Sequence, residues 1–312
     1  MLSIVLGANG QDGSYLCEKL LLLGHSVIGI GRDATSRYLP EQEGFCYVCL
    51  DAADLAKLTE LLLAARPDNF YHFAAVHGAT GSGFTYEAAW AAMMHVNVLA
   101  LHAAMEVART CLPHMRIIYA SSSKIFLPSM TGMVDESTPI GASCLYSIGK
   151  IAARDLMAQY RRDHGIETTN LIFFNHDSPR RSQGYLLADI AKTIALARAG
   201  ASSLLSLRTL NFWIDWGSAE EFMAIVAHLG TKPLVPDLVI ASGTTVFARD
   251  VVTSAFARHG LAIGAHIVEE RPTAELRARF DVSLTRLAAI APLPKVGVAQ
   301  VIDSMVDAYL GG

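Results

Sequence analysis

The chain has 312 residues, 52% hydrophobic and 17% charged, a composition that excludes a disordered or low-complexity protein and supports a large buried core. Lys and Arg number 25 against 29 Asp and Glu, a net charge of −4, so no basic excess exists to neutralise a phosphate backbone and nucleic acid is not expected as a partner. No run approaches the roughly 18 consecutive apolar residues of a bilayer span, and the N-terminus enters a strand without a basic leader, so a soluble, cytoplasmic protein with no membrane partner is expected.

Residues 3–6 are a short apolar run closed by Gly7, which predicts a first strand. A helical pattern over 11–23 follows, then strand-like runs at 26–30 and 45–50, a helix over 55–65 and a strand at 69–73. One long helical pattern covers 86–110, a fifth strand 116–120, and a further helix 145–164. Strands alternating with crossover helices predict the α/β class, with a Rossmann-like, doubly wound parallel sheet. From about residue 176 the rhythm loosens, and Pro179, Pro233, Pro236, Pro272, Pro292 and Pro294 punctuate short elements. The expected organisation is a sheet domain over 1–175 and a smaller C-terminal lobe over 176–312 that is free to interleave with the sheet, with a cleft between them. Five cysteines (Cys17, Cys46, Cys49, Cys111 and Cys144) are an odd number in apolar surroundings, which predicts buried, reduced thiols. Cys46 and Cys49 lie within a strand pattern without a second Cys or His pair at ligand spacing, so no metal site is expected.

Gly7, Asn9, Gly10, Gln11, Asp12 and Gly13 fall between the first strand and the first helix. Glycines there permit a tight turn and close backbone approach, while the free amides of the helix N-terminus attract a pyrophosphate. The first domain is therefore read as NAD(P)-binding. At the end of the second strand Arg32 precedes Asp33; an arginine pairs a 2′-phosphate and an acid accepts from a 2′-hydroxyl, and the order predicts NADP in preference to NAD. Asp51, after the third strand, suits either the adenine or the N-cap of the next helix.

Tyr146 and Lys150 stand four residues apart, on one face of a helix. A phenol is a poor base at neutral pH, but a lysine cation favours its phenolate, which can then exchange a proton with a substrate hydroxyl. Ser122, in the run Ser121-Ser122-Ser123 after the fifth strand, offers a hydroxyl to the same oxygen, with Ser123 beside it for the substrate. Glycine loop, serine cluster and Tyr-x-x-x-Lys, in that order, predict hydride exchange between a carbinol carbon and a nicotinamide.

These residues resemble the extended short-chain dehydrogenase/reductase superfamily of nucleotide-sugar epimerases and dehydratases. Residues 10–16, Asn175-His176-Asp177-Ser178-Pro179-Arg180-Arg181 and Asp215-Trp216-Gly217 are similar to GDP-mannose 4,6-dehydratases, and the likeness runs on through Arg66-Pro67-Asp68, Glu136-Ser137-Thr138-Pro139 and Arg271-Pro272. The resemblance implies Ser122, Tyr146 and Lys150 as catalytic residues, with Lys150 also on the nicotinamide ribose. It implies Ala74, Ala75 and His176 on the cofactor, Arg181 or Arg180 on the cofactor or a neighbouring subunit, Asn175 on the substrate diphosphate, and a homodimer or homotetramer.

Four departures bear on the reaction. The family's dehydratases carry a glutamate base two residues past the catalytic hydroxyl, where this chain has Lys124, and an ammonium accepts no proton unless it is first stripped of one. Ile214 replaces an arginine that binds the nucleotide diphosphate, and Asp189 replaces a lysine; Arg208 and Arg271 are the candidates to restore that charge. His77 falls where the family has a serine at the cofactor edge, and is read as a structural histidine or a polar contact. The expected function is an NAD(P)-dependent 4-keto reductase or 4-dehydrogenase acting on a nucleotide sugar. The alternatives are a dehydratase with Lys124 in place of the glutamate, a 4-epimerase, and a non-catalytic NAD(P) sensor.

Overall fold

Strand and helix alternate from the start in the computed structural model, which describes residues 1–77, 86–127, 129–273 and 278–311. First come β1 (Leu2–Leu6), α1 (Gln11–Leu22), β2 (Ser26–Gly31), β3 (Phe45–Cys49), α2 (Leu55–Ala65) and β4 (Asn69–His72). Then follow α3 (Tyr86–Met94), α4 (Ala100–Thr110), β5 (Arg116–Ala120), β6 (Gly132–Val134), α5 (Leu145–His164) and β7 (Thr168–Phe173). The rest comprises β8 (Asn175–Asp177), α6 (Leu186–Arg198), β9 (Leu205–Leu207), β10 (Trp213–Ser218), α7 (Ala219–Leu229), β11 (Asp237–Ile240), β12 (Thr245–Phe247), α8 (Ala248–Arg258), β13 (Ile267–Glu269), β14 (Phe280–Val282), α9 (Thr285–Ala288) and α10 (Val298–Gly311).

The main sheet is seven-stranded and parallel, in the order β3-β2-β1-β4-β5-β7-β11. Its inner strands are buried on both faces because helices cover both: every residue of β4 and β7 is buried. On one side Leu16 and Leu20 of α1 and Phe222, Met223 and Val226 of α7 pack against Tyr71, Ile118 and Leu171. On the other, Leu58 and Leu62 of α2, Leu101 and Met105 of α4, and Met157 of α5 cover Ile4, Phe70 and Ile117. Each fully buried Leu in these layers contributes about 1.5–3 kcal/mol by leaving water. β1 pairs with β2 on one side and β4 on the other, so the strand order reverses there and leaves a crevice at the C-terminal ends of the strands.

Residues beyond 176 do two things. α7 and β11 return to the main sheet, while α6, α8 and α10 close a separate core around β10, including Ile190, Ile194, Trp216, Phe256, Ile302 and Met305. β10 also joins β8 and β12 in a small sheet, which places Asn175–Asp177 beside Trp216–Ser218.

The structure differs from the sequence expectations in three places. The helix expected over 86–110 is interrupted by a π turn, His95–Leu99, built around the buried Asn97. The stretch Trp90–Thr110 is long and apolar enough by composition to span a bilayer, with a mean hydropathy of 1.3, and half of it is buried inside this fold. Of the five cysteines, all free, Cys17 alone is buried: β3 is an edge strand that exposes Cys46 and Cys49, and Cys111 and Cys144 flank helix ends. Among the described residues no group of three or more His, Cys, Asp or Glu forms a metal cluster.

Candidate active site

Backbone geometry shapes the entrance to the crevice. Gly7 has φ +101°, and a Cβ on it would lie 2.6 Å from Ala74 N; a Cβ on Gly13 would lie 2.1 Å from Gly7 O. Only glycine lets α1 start this close to β1 and β4. Gly10 is the N-cap of α1, so the first-turn amides of Gln11 and Asp12 have no carbonyl one turn back and are suited to receive an anion. Gly7, Asn9, Gly10 and Asp12 line a cavity of about 870 Å³ that continues past Arg32, Asp33 and Asp51 at one end and Ser122, Tyr146 and Lys150 at the other. Ala74, Ala75, Ser123, Lys124, Asn175, His176 and Arg181 line it as well. The residue set fits a dinucleotide: a glycine cradle the size of a backbone approach, an open helix N-terminus and polar groups at both ends.

Asn9 organises the end near β2. Its Nδ2 donates to Asp33 Oδ2 (2.9 Å), Thr35 O (3.0 Å) and the Tyr47 hydroxyl (3.1 Å), and its Oδ1 accepts from Arg37 N (3.0 Å). Arg37 Nε pairs with Asp33 Oδ2 at 2.8 Å, and Arg32 and Arg37 both line this part of the cavity. Asp51 Oδ1 accepts from Ala53 N (2.9 Å), and the N-cap of α2 is Asp54, whose Oδ1 accepts from Lys57 N. Of its two expected roles, Asp51 therefore does not take the helix cap.

Gln11 and Gly13 stand behind the loop. The Gln11 amide oxygen accepts from Ser178 Oγ (2.9 Å), tying the loop to the segment after β8. Asp12 Oδ2 meets His176 Nε2 at 3.0 Å, while His176 Nδ1 meets Phe174 O at 2.7 Å. Both partners of the imidazole are acceptors, so His176 carries both protons. Burial opposes that charge and the Asp12 carboxylate outweighs it, raising the histidine; burial likewise opposes the Asp12 carboxylate, yet His176 and Arg181 hold it well below the usual range. Arg181 Nε donates to Asp177 Oδ1 at 2.6 Å, and its guanidinium lies over the Tyr185 ring. Arg180 faces the other way, stacked on Tyr15 and Tyr38 and bonded to Ser14 Oγ, so of the two arginines Arg181 is the one in the cavity.

The reacting end is set by α5. Ser147 Oγ accepts from Cys144 N (3.0 Å) and Ser143 N (2.8 Å), fixing the first turn of the helix and with it Tyr146. One turn on, the buried Lys150 donates from Nζ to Ala120 O at 2.6 Å, and the same atom lies 4.4 Å from the Tyr119 ring centre and 5.4 Å from that of Tyr146. Burial lowers the Lys150 ammonium to about 7 and pushes the Tyr146 phenol well above its ordinary value. Tyr146 is thus a protonated phenol, the state a ketone oxygen needs in a proton donor, and the adjacent ammonium stabilises the phenolate left behind. Ser122 Oγ accepts from Lys124 N (3.2 Å) at the turn after β5. Lys124 is exposed at the cavity wall.

The expected substrate arginines lie elsewhere. Arg208 and Arg271 are exposed residues joined by an Arg271 N to Arg208 O hydrogen bond (2.8 Å) that extends the β9–β13 pair, and neither lines the cavity. Asp189 accepts from Gly184 N (2.9 Å) outside it, whereas Phe212, Ile214 and Trp216 give the substrate wall an apolar surface. Two contributors escaped the sequence reading. Asn97 holds Val76 through both its N–H (2.9 Å) and its carbonyl (3.1 Å), and its own carbonyl accepts from the Tyr119 hydroxyl (2.8 Å). Tyr185 closes the wall beside Arg181. His77, read from the sequence as a structural histidine or a polar contact, lines the cavity and packs on Tyr146. An asparagine inside an apolar helix pattern was the signal for the first.

A family model described as GDP-mannose 4,6 dehydratase matches residues 4–290. A GDP-mannose 4,6-dehydratase of Sordaria araneosa is 31% identical over 260 residues, which are 81% of this chain and 47% of that protein, so the chain spans about half the length of this relative. Among solved structures, the Thermus thermophilus UDP-glucose 4-epimerase in complex with NAD superposes with a TM-score of 0.83 at 20% identity, covering 100% of this chain and 99% of that one. The RMD protein of Pseudomonas aeruginosa, complexed with NADPH, superposes with a TM-score of 0.77 at 17% identity over 100% and 99% of the two chains.

Proposed function

The chain belongs to the GDP-mannose 4,6-dehydratase family, and from that premise we propose that it is an NAD(P)-dependent enzyme acting at C4 of a nucleotide sugar, most directly as a 4-keto reductase or 4-dehydrogenase. The observation that carries the reading is the assembly of Ser122, Tyr146 and Lys150 at one end of a dinucleotide-sized cavity whose wall offers Lys124 in place of a carboxylate. The carboxylates that do line the cavity are engaged elsewhere: Asp12 with His176, Asp177 with Arg181, Asp33 with Asn9 and Arg37, and Asp51 with Ala53 N. Ketone reduction draws on no carboxylate, whereas the family's dehydratases use a glutamate where this chain has Lys124.

The glycine loop, Asn9, Ala74, Ala75, Lys150 and His176 would hold the cofactor, which when bound exchanges a hydride with C4. Arg32 and Arg37 stand at the ribose end with Asp33 and Asp51, and an arginine there pairs a 2′-phosphate, so NADP is the preferred cofactor over NAD. Ser122 and Tyr146 bind O4 of the sugar, Tyr146 delivers its proton there, and Lys150 stabilises the resulting phenolate. Asn175, on the cavity wall, would meet the substrate diphosphate.

Tyr146→Phe tests this. Reduction of a nucleotide 4-keto-6-deoxyhexose, followed by NADPH oxidation, is expected to fall about 100- to 10,000-fold while NADPH binding, read by its fluorescence, is retained. Undiminished reduction in the variant overturns the reading, and so does loss of water from a nucleotide hexose without net cofactor change.

A further inference from the structure

The cavity holds a second proton-transfer group that hydride chemistry at C4 leaves unused. The His77 ring lies 4.5 Å from that of Tyr146, centre to centre, and 6.2 Å from that of Tyr185, facing the same space as Ser122 and Lys124. Its position is fixed from behind, because Asn97 grips the preceding residue, Val76, by both backbone polar groups. Burial, followed by the cations Lys124, Lys150 and Arg181, lowers His77 to about 4. At neutral pH it is therefore an uncharged imidazole with a lone pair, beside the one position in the cavity where a carbonyl oxygen is expected.

A ketone acidifies the hydrogens on its neighbouring carbons, and a base packed on the ketone's own proton donor faces the space those carbons would occupy. We propose that His77 removes and returns a proton on a carbon adjacent to the C4 ketone, which gives the protein an enolisation activity alongside hydride transfer; this rests on the ketone-reducing function above. The C–H bond breaks as its electron pair forms the C=C bond, the carbonyl π pair moves onto O4, and the proton passes to an imidazole nitrogen. Ser122 and Tyr146 hydrogen-bond the enolate oxygen, and the ammonium groups of Lys124 and Lys150 favour its charge. In the reverse step the imidazolium, having exchanged with solvent, returns a proton to carbon. No electrons leave the sugar, so no oxidant or reductant is consumed. The basicity of His77 matches that of an ordinary carboxylate, which is a workable strength for a proton made acidic by a carbonyl.

Protein loaded with NADP+, which has no hydride to give, is incubated with a nucleotide 4-keto-6-deoxyhexose in D2O, and the mass of the sugar is followed above the protein-free rate. The expected result is protein-dependent incorporation of deuterium next to C4, reduced about 100-fold in His77→Asn, whose amide accepts a hydrogen bond and no proton. NADPH fluorescence reports whether the variant is folded, and His77→Gln repeats the test if it is not. The same variants are assayed for NADPH oxidation, so the ratio of exchange to reduction is the readout. The inference is overturned if the wild type reduces the ketone without incorporating deuterium. It is equally overturned if exchange and reduction fall by one common factor, as mere packing against Tyr146 would produce. A wild-type protein that does neither removes the functional reading itself along with this one.

Discussion

Lys150 carries an ordinary pKa of 10.5 outside the fold and about 7 inside it, because the interior gives its charge one carbonyl and two aromatic faces in place of water. Between those values the unfolded chain binds the proton that the folded chain has released, so stability rises with pH over that window. Thermal unfolding of the cofactor-free protein is expected to show a Tm that climbs from pH 7 to about pH 9, and Lys150→Met is expected to flatten that climb. A Tm in the wild type that stays level or falls over the same window, or a climb that survives in Lys150→Met, contradicts the burial argument. Tyr146 and Lys150 were legible in the sequence because one helical turn joins them, as were the glycines of residues 7–13, where a strand meets a helix. Arg208 and Arg271 were misplaced for the opposite reason: charge and chain position say nothing about which side of a lobe a side chain occupies, and both sit on the outer β9–β13 pair.

The junction between β1 and α1 is the element on which cofactor binding depends most. A methyl group at residue 13 would sit 2.1 Å from Gly7 O, a contact with backbone that no rotamer relieves, so α1 must move away from the sheet. Gly13→Ala is therefore expected to weaken NADPH binding by about tenfold or more, together with a lower Tm, since the helix amides are displaced from the pyrophosphate position. Equal affinity in the variant would show that the helix N-terminus does not hold the cofactor. At this scale the sheet strands of the first half were readable from their apolar runs, whereas the π turn was not, because His95–Leu99 keeps a helical periodicity while its extra residue turns Asn97 inward. That one residue per turn decides where Val76, and so His77, stands against Tyr146.

Over the whole molecule, the chain crosses between layers rather than completing one before starting the next. β7 is followed by β8 in the small sheet, β10 lies beside β8, and β11 then returns to the edge of the main sheet. The return is tied down by Asp237, whose carboxylate accepts from Arg154 Nε (3.0 Å) and Nη2 (2.8 Å) on α5 and from Asn170 Nδ2 (2.9 Å) on β7. Substrate wall and cofactor crevice thus share strands, and a parallel sheet could be anticipated from the sequence while this return could not: four residues of strand at 237–240 carry no signal of their partner. The arrangement places the Ser122, Tyr146 and Lys150 end of the cavity against the apolar Phe212, Ile214 and Trp216 wall, where a sugar ring would lie. The central claim is that this end moves a hydride between a nicotinamide and C4. The measurement that tests it most directly is product analysis by mass spectrometry and NMR after the protein meets NADPH carrying deuterium at the transferable C4 position and a nucleotide 4-keto-6-deoxyhexose. The account predicts one deuterium at sugar C4 and one NADPH oxidised per product. Absence of label from C4, or conversion of GDP-mannose to its 4-keto-6-deoxy form with loss of one water and no net cofactor turnover, would contradict it.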